Sequence, residues 1–229
     1  AVMSEEFRQW VIEEDFRAGR PPWEQVGVQM VESVAPFEEA KIRLLNASHS
    51  AIAWAGVLAG TQYIHEGVRN ARIRALAHAY GEDAIACLRP SPLDLSGYRD
   101  TVLSRFGNAA LADTNQRVVA DSTAKLREFV LPTLRERLAA GAPAAGVAML
   151  PVLFLAFLHR WTNGELPFAH ADQGMDEATA QGICADTDPL RALVGLSALW
   201  GELAGSDELL ALLRAADERM AAFTAVLPA

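Results

Sequence analysis

Lys41, Asn46 and His49, with Glu38 one turn earlier, bring an amine, an amide, an imidazole and a carboxylate into one short stretch of chain. They stand in PFEEAKIRLLNASHSAIAWAGVLAG, Pro36 to Gly60, which the residue pattern predicts as one long helix. At about 100° per residue, with Lys41 at zero, Glu38 falls near ~60°, His49 near ~80° and Asn46 near ~140°. The four share a face, walled by Ile42 and Leu45. Desolvation there would disfavour the ammonium and lower the lysine pKa, the usual way a lysine becomes a general base near neutral pH. A plainer reading of the same residues is a lysine snorkelling from a core helix to water, with Asn46 and His49 as satisfied polar groups of the core.

The lysine count bears on that choice. Of the 20 basic residues only Lys41 and Lys125 are lysines. Arginine cannot be deprotonated in a protein and lysine can, so a lysine inside a buried helix is not there merely as charge. The expectation is that the solvent-facing cations are arginines and that Lys41 is buried. The helix that positions it is well marked. Pro36 suits a first helical position and the dipole favours Glu38 and Glu39 in the first turn. Ile42, Leu44, Leu45, Ile52, Trp54, Val57 and Leu58 then fall on nearly every side, as in a helix enclosed by other elements.

The spacing Lys41-x-x-x-x-Asn46-x-x-His49 within KIRLLNASHS resembles the signature of the long-chain polyol dehydrogenases, the mannitol and arabinitol dehydrogenase family. QWVIEEDF (Gln9 to Phe16), RPSPLDLSGYRDTVLSRFGN (Arg89 to Asn108) and DTNQRVVADSTAK (Asp113 to Lys125) are similar to further segments of it. The resemblance runs from about residue 4 to 165 and weakens beyond. It implies reversible, metal-independent, NAD-dependent oxidation of a secondary alcohol of an acyclic polyol to a ketose. Lys41 would take the hydroxyl proton, Asn46 would donate to the developing alkoxide, His49 would fix a substrate oxygen and Glu38 would pass the proton to water. Arg117 and Lys125 would bind hydroxyls further along the substrate. The segment departs from the family's usual pattern at Ser122, Thr123, Ala124 and Arg127. Its segments look most similar to D-arabinitol dehydrogenases and then mannitol dehydrogenases. Related uronate reductases are an alternative, as is a non-catalytic helical interaction domain that retains the ancestral site.

Family members carry a nucleotide-binding domain before this point, and the chain contains no G-x-G-x-x-G following a predicted strand. Residues 1–229 are therefore expected to form a helical catalytic and substrate-binding domain, the C-terminal half of a longer enzyme. A Rossmann-type N-terminal domain would be its partner and would hold the NAD. Alone, the chain is expected to bind no NAD and to have little or no activity.

Composition agrees with a helical domain. Half of the 229 residues are hydrophobic with few aromatics, a mix that favours helices and can fill a large core. The fold class is expected to be all-α, with at most a minor extended segment near residues 24–34, where Val26, Val28 and Met30 alternate with Gly27 and Gln29. Residues 4–16 stay ambiguous between helix and strand. Helices are expected over 71–80 and 82–88, near 93–106, over 114–120, 123–130, 132–138 and 144–161, and near 176–185, 189–203 and 206–224. The net charge of −9 is concentrated after Glu165, and no basic stripe exists to replace counterions on nucleic acid. The longest apolar run, Val147 to Leu158, is short of the ~20 residues that span a bilayer, so no membrane is expected. Cys87 and Cys184 offer neither a disulfide framework nor metal-ligand spacing, which points to a reducing cytoplasm.

Overall fold

The computed structural model describes Glu5 and residues 7–224. Two short strands, β1 (Val11–Glu13) and β2 (Gln29–Val31), pair in parallel, with Ile12 opposite Met30. Everything after them is helical: α1 (Ala35–Ala40), α2 (Ala47–Leu58), α3 (Ile64–Arg69), α4 (Ala71–Cys87), α5 (Leu95–Phe106), α6 (Asn115–Val119), α7 (Ser122–Lys125), α8 (Leu131–Ala139), α9 (Met149–Thr162), α10 (Glu177–Ala185), α11 (Pro189–Val194), α12 (Ser197–Trp200) and α13 (Asp207–Thr224). The all-α class therefore holds. The extended segment is β2, preceded by a 3-10 turn at Trp23–Val26, and it has a partner in the stretch that periodicity left undecided.

α2 is the axis of the domain. Ala51, Ile52, Ala53, Trp54 and Ala55 are all fully buried, which is why the pattern looked apolar all round. α3, α4, α6 and α9 surround it. Burial of Leu44 or Ile52 stabilises by roughly 1.5–3 kcal/mol each. The Trp54 ring lies 5.7 Å from that of Phe154 on α9. Its indole N–H donates to Ser122 Oγ at 2.8 Å, and Ser122 in turn donates to Val119 O at 2.6 Å, tying α2 to the α6–α7 junction. α6 comes so close that a Cβ on Gly56 would meet Asn115 Nδ2 at 2.6 Å, so this position admits only glycine without a shift.

Boundaries followed local chemistry where it was strong. Asn70, Asp94, Asp176 and Asp188 each cap the helix that follows through a side-chain oxygen. Pro151 sits in the first turn of α9, where a backbone N–H has no partner to lose. Several expectations change, among them that the helix expected over 144–161 begins only at Met149. The two helices expected over 71–80 and 82–88 are the single helix α4, Ala71–Cys87, because Gly81 packs directly on the Arg99 side chain and interrupts nothing. The expected helix over 189–203 is broken into α11, α12 and a 3-10 turn, with Leu196 extended between them. The long central helix is continuous but not uniform: between α1 and α2, Lys41–Asn46 form a π turn. A second π turn, Leu126–Val130, joins α7 to α8, and the two turns pack against each other.

Candidate active site

The π turn changes the geometry on which the shared face was inferred. Ala47 N–H bonds to Ile42 O, five residues back, instead of to Arg43 O. This amounts to one extra residue in the helix, and it rotates everything downstream back by about 100° relative to an α-helix. Asn46 then moves from about 140° to about 40° from Lys41, and His49 from about 80° to about −20°. On that ideal geometry the three positions lie closer together in angle than on a straight α-helix.

Their surroundings differ from expectation in one respect. Lys41 is exposed, as is Glu38, while Asn46 and His49 are half-buried and Ile42 and Leu45 only partly covered. The desolvation invoked for Lys41 is not supplied by these residues. Lys41 is thus itself a solvent-facing cation, contrary to the expectation that these would all be arginines, while Arg43 and Arg99 are buried at 6% and 5% exposure. Helix pattern identifies which face is apolar on average, but cannot say whether a gap stands over one residue of it.

His49 is held from two sides. Its ring stacks on Phe106 of α5 at 4.6 Å, and Nε2 stands 3.1 Å from Asp113 Oδ2, an ion-pair distance reached off the hydrogen-bond axis. Asp113 also receives Arg117 through both oxygens, Nε to Oδ1 and Nη2 to Oδ2, each at 2.6 Å. Burial opposes ionisation of Asp113, but the His49 and Arg117 contacts more than offset it and hold the carboxyl well below the usual carboxylate range. Thr114 caps α6, which fixes Arg117 one turn in. Arg117 is itself exposed, and its bond to Asp113 raises its pKa.

Lys125 ends α7, half-buried. Its Nζ donates to Val118 O and Ala120 O, both at 2.6 Å, satisfying carbonyls orphaned at the end of α6. Burial lowers its pKa; Asp121, Asp172 and Asp113 counter the shift and Arg117 adds to it. The desolvated lysine is thus Lys125, and these charges place it within electrostatic range of the His49–Asp113–Arg117 group. Asp121 takes a left-handed conformation at φ 56°, the position where a glycine would be easiest. It makes no cap bond to α7; Asp172 does that from a distant loop, accepting from Thr123 N at 2.8 Å and Thr123 Oγ1 at 3.0 Å.

Sequence reasoning gave Asp113, Phe106 and Asp172 no role. Asp113 had a weak signal, an acid four residues before Arg117, whereas Phe106 and Asp172 had none. Cys87 and Cys184 are free thiols, and burial pushes Cys87 up to about 11. Among the described residues no three His, Cys, Asp or Glu side chains converge as a metal site, and no helix is long and apolar enough to cross a membrane.

Residues 33–221 match the family model of the mannitol dehydrogenase C-terminal domain. The chain is 52% identical over 98% of its length to a D-arabinitol 4-dehydrogenase of Ralstonia nicotianae, covering 48% of that protein. It is 32% identical over 90% of its length to a mannitol 2-dehydrogenase of Aspergillus fumigatus, covering 42%. Among solved structures it resembles the Pseudomonas fluorescens mannitol 2-dehydrogenase in ternary complex with NAD and D-mannitol, at a TM-score of 0.81 and 32% identity over 96% of this chain and 46% of that one. A substrate-free D-sorbitol dehydrogenase gives 0.82 at 30% identity over 97% of this chain and 46% of that one. The chain spans about half the length of the curated relatives it matches. With the match running from just before α1 to within α13, the chain belongs to the mannitol dehydrogenase C-terminal domain family.

Proposed function

We propose that this chain is the helical half of an NAD-dependent polyol dehydrogenase that oxidises a secondary alcohol of an acyclic sugar alcohol, of the D-arabinitol or mannitol kind, to a ketose. The observation that supports the reading most is the match to the polyol dehydrogenases, together with the π turn, which by helical geometry would turn Asn46 and His49 towards the face of Lys41. Lys41 accepts the hydroxyl proton, Asn46 donates to the oxygen as negative charge develops, His49 fixes a substrate oxygen and Glu38 relays the proton outward. Asp113 orients the imidazole, and Arg117 and Lys125 bind hydroxyls along the carbon chain.

The cofactor belongs elsewhere in this reading. The strand-to-helix junction from β2 to α1 contains Glu32, Ser33 and Val34, with no glycine to let a backbone approach a pyrophosphate and with an acid facing it in sequence. Hydride acceptance by NAD is therefore assigned to a second, Rossmann-type domain of the same enzyme. Two features support such a partner. Lys41 and Glu38 are open to solvent, so that docking would supply the desolvation a basic lysine needs. Beside the β1–β2 ribbon, Trp10 is 64% exposed and Val26 of the 3-10 turn 73%, and two-stranded parallel sheets are rarely left uncovered.

The test is made in the enzyme joined to its nucleotide-binding half. Lys41→Ala should lower turnover by about three orders of magnitude or more, a small primary amine should restore part of it, and Lys41→Arg should not. Near-normal turnover of Lys41→Arg would mean that the residue supplies only charge. No dehydrogenase activity on any polyol or uronate in the joined wild-type enzyme would favour the non-catalytic reading.

A further inference from the structure

The π turn at Lys41–Asn46 leaves one backbone group without its helical partner. Because Ala47 N–H is drawn to Ile42 O, the Arg43 carbonyl loses the donor an α-helix would provide. The residue is buried, and a buried carbonyl without a partner is costly enough to remove the turn. The partner comes from α4. Tyr80, fully buried, donates its hydroxyl to Arg43 O at 2.8 Å. Burial raises the phenol's pKa, so it remains a donor.

The Arg43 side chain is held as well. Its guanidinium meets Glu136 on α8 at 2.9 and 2.5 Å and Glu39 at 2.6 Å. Nothing in KIRLLN itself demands an extra residue in the turn, since it contains neither proline nor glycine. The demand lies in the neighbours.

We propose that Tyr80 is a positioning residue of the Lys41 site: its hydroxyl stabilises the π turn that carries Asn46 and His49 round to the face of the lysine. The hydrogen bond of Tyr80 goes to the Arg43 carbonyl and to none of the candidate groups, and it acts through that carbonyl. Losing the oxygen while keeping the ring removes that support with little change in packing. The inference rests on the proposed roles of Lys41, Asn46 and His49.

The experiment compares Tyr80→Phe with Trp200→Phe in the joined enzyme. Trp200 is the matched control, a buried aromatic whose N–H donates to a backbone carbonyl, Leu193 O at 2.8 Å, in the C-terminal helices. Tyr80→Phe should lower kcat about tenfold while changing KM less than about twofold, and hydrogen exchange at residues 44–47 should quicken. Trp200→Phe should do neither, whatever it costs in Tm. If Tyr80→Phe matches the control in kcat and in exchange at 44–47, the inference is overturned while the lysine mechanism stands. If Lys41→Ala keeps its turnover, the mechanism itself falls and takes the positioning role with it.

Discussion

Each lysine of this protein adjoins a π turn, Lys41 opening one and Lys125 preceding the other, and the two turns pack together. They have different causes. The turn at Leu126–Val130 is followed by Pro132, whose ring would collide with the carbonyl four residues before it and which has no N–H to donate. Leu131 N–H bonds back five residues to Leu126 O, and the chain passes the proline without a sharp break. The turn at Lys41–Asn46 has no such local instruction and depends on Tyr80 and Glu136. An irregularity written locally survives changes in its surroundings, whereas one imposed by neighbours can be removed from a distance.

The cations beneath the turns give the largest contrast in stability. Arg43→Met should cost about 2 kcal/mol in urea unfolding, because a buried guanidinium bonded to two carboxylates is lost; the half-exposed Glu136 and Glu39 keep the figure below that of a fully buried pair. An Arg43→Met protein as stable as the wild type would show that α8 does not hold the first turn.

Lys125→Met should cost less, about 1 kcal/mol. Two short bonds to Val118 O and Ala120 O disappear, but so does the penalty of desolvating an ammonium. In the joined enzyme the same variant should raise KM more than it lowers kcat, in contrast to Lys41→Ala. A fall confined to kcat would give the two lysines one function and remove the distinction between them.

The smallest effect belongs to Pro132→Ala, within about 0.5 kcal/mol of wild type, since the restored N–H offsets the gain in unfolded-chain freedom. Its structure is the sharper readout. The 126–130 turn should relax to α-helix while 41–46 stays as it is. A π turn persisting at 126–130 would mean that it, too, is imposed from outside.

Much of the architecture was legible in the chain itself. The all-α class, the enclosed central helix with its start at Pro36 and most of the helix spans follow from interactions between residues a few positions apart. So does the placing of Lys41, Asn46 and His49 on a single helix. The pairing of β1 with β2, the exposure of Lys41, the burial of Lys125 and the anchoring of His49 by Phe106 and Asp113 were decided only by the tertiary structure. The phase of the site was decided there too. Tyr80 lies 37 positions from Arg43 and Glu136 lies 93. Helical periodicity assumes a fixed rotation per residue, and that rotation holds only while every carbonyl finds its partner within the helix. Where a neighbouring helix offers Arg43 O a buried hydroxyl instead, the register changes by a residue, and no pattern within KIRLLNASHS records it.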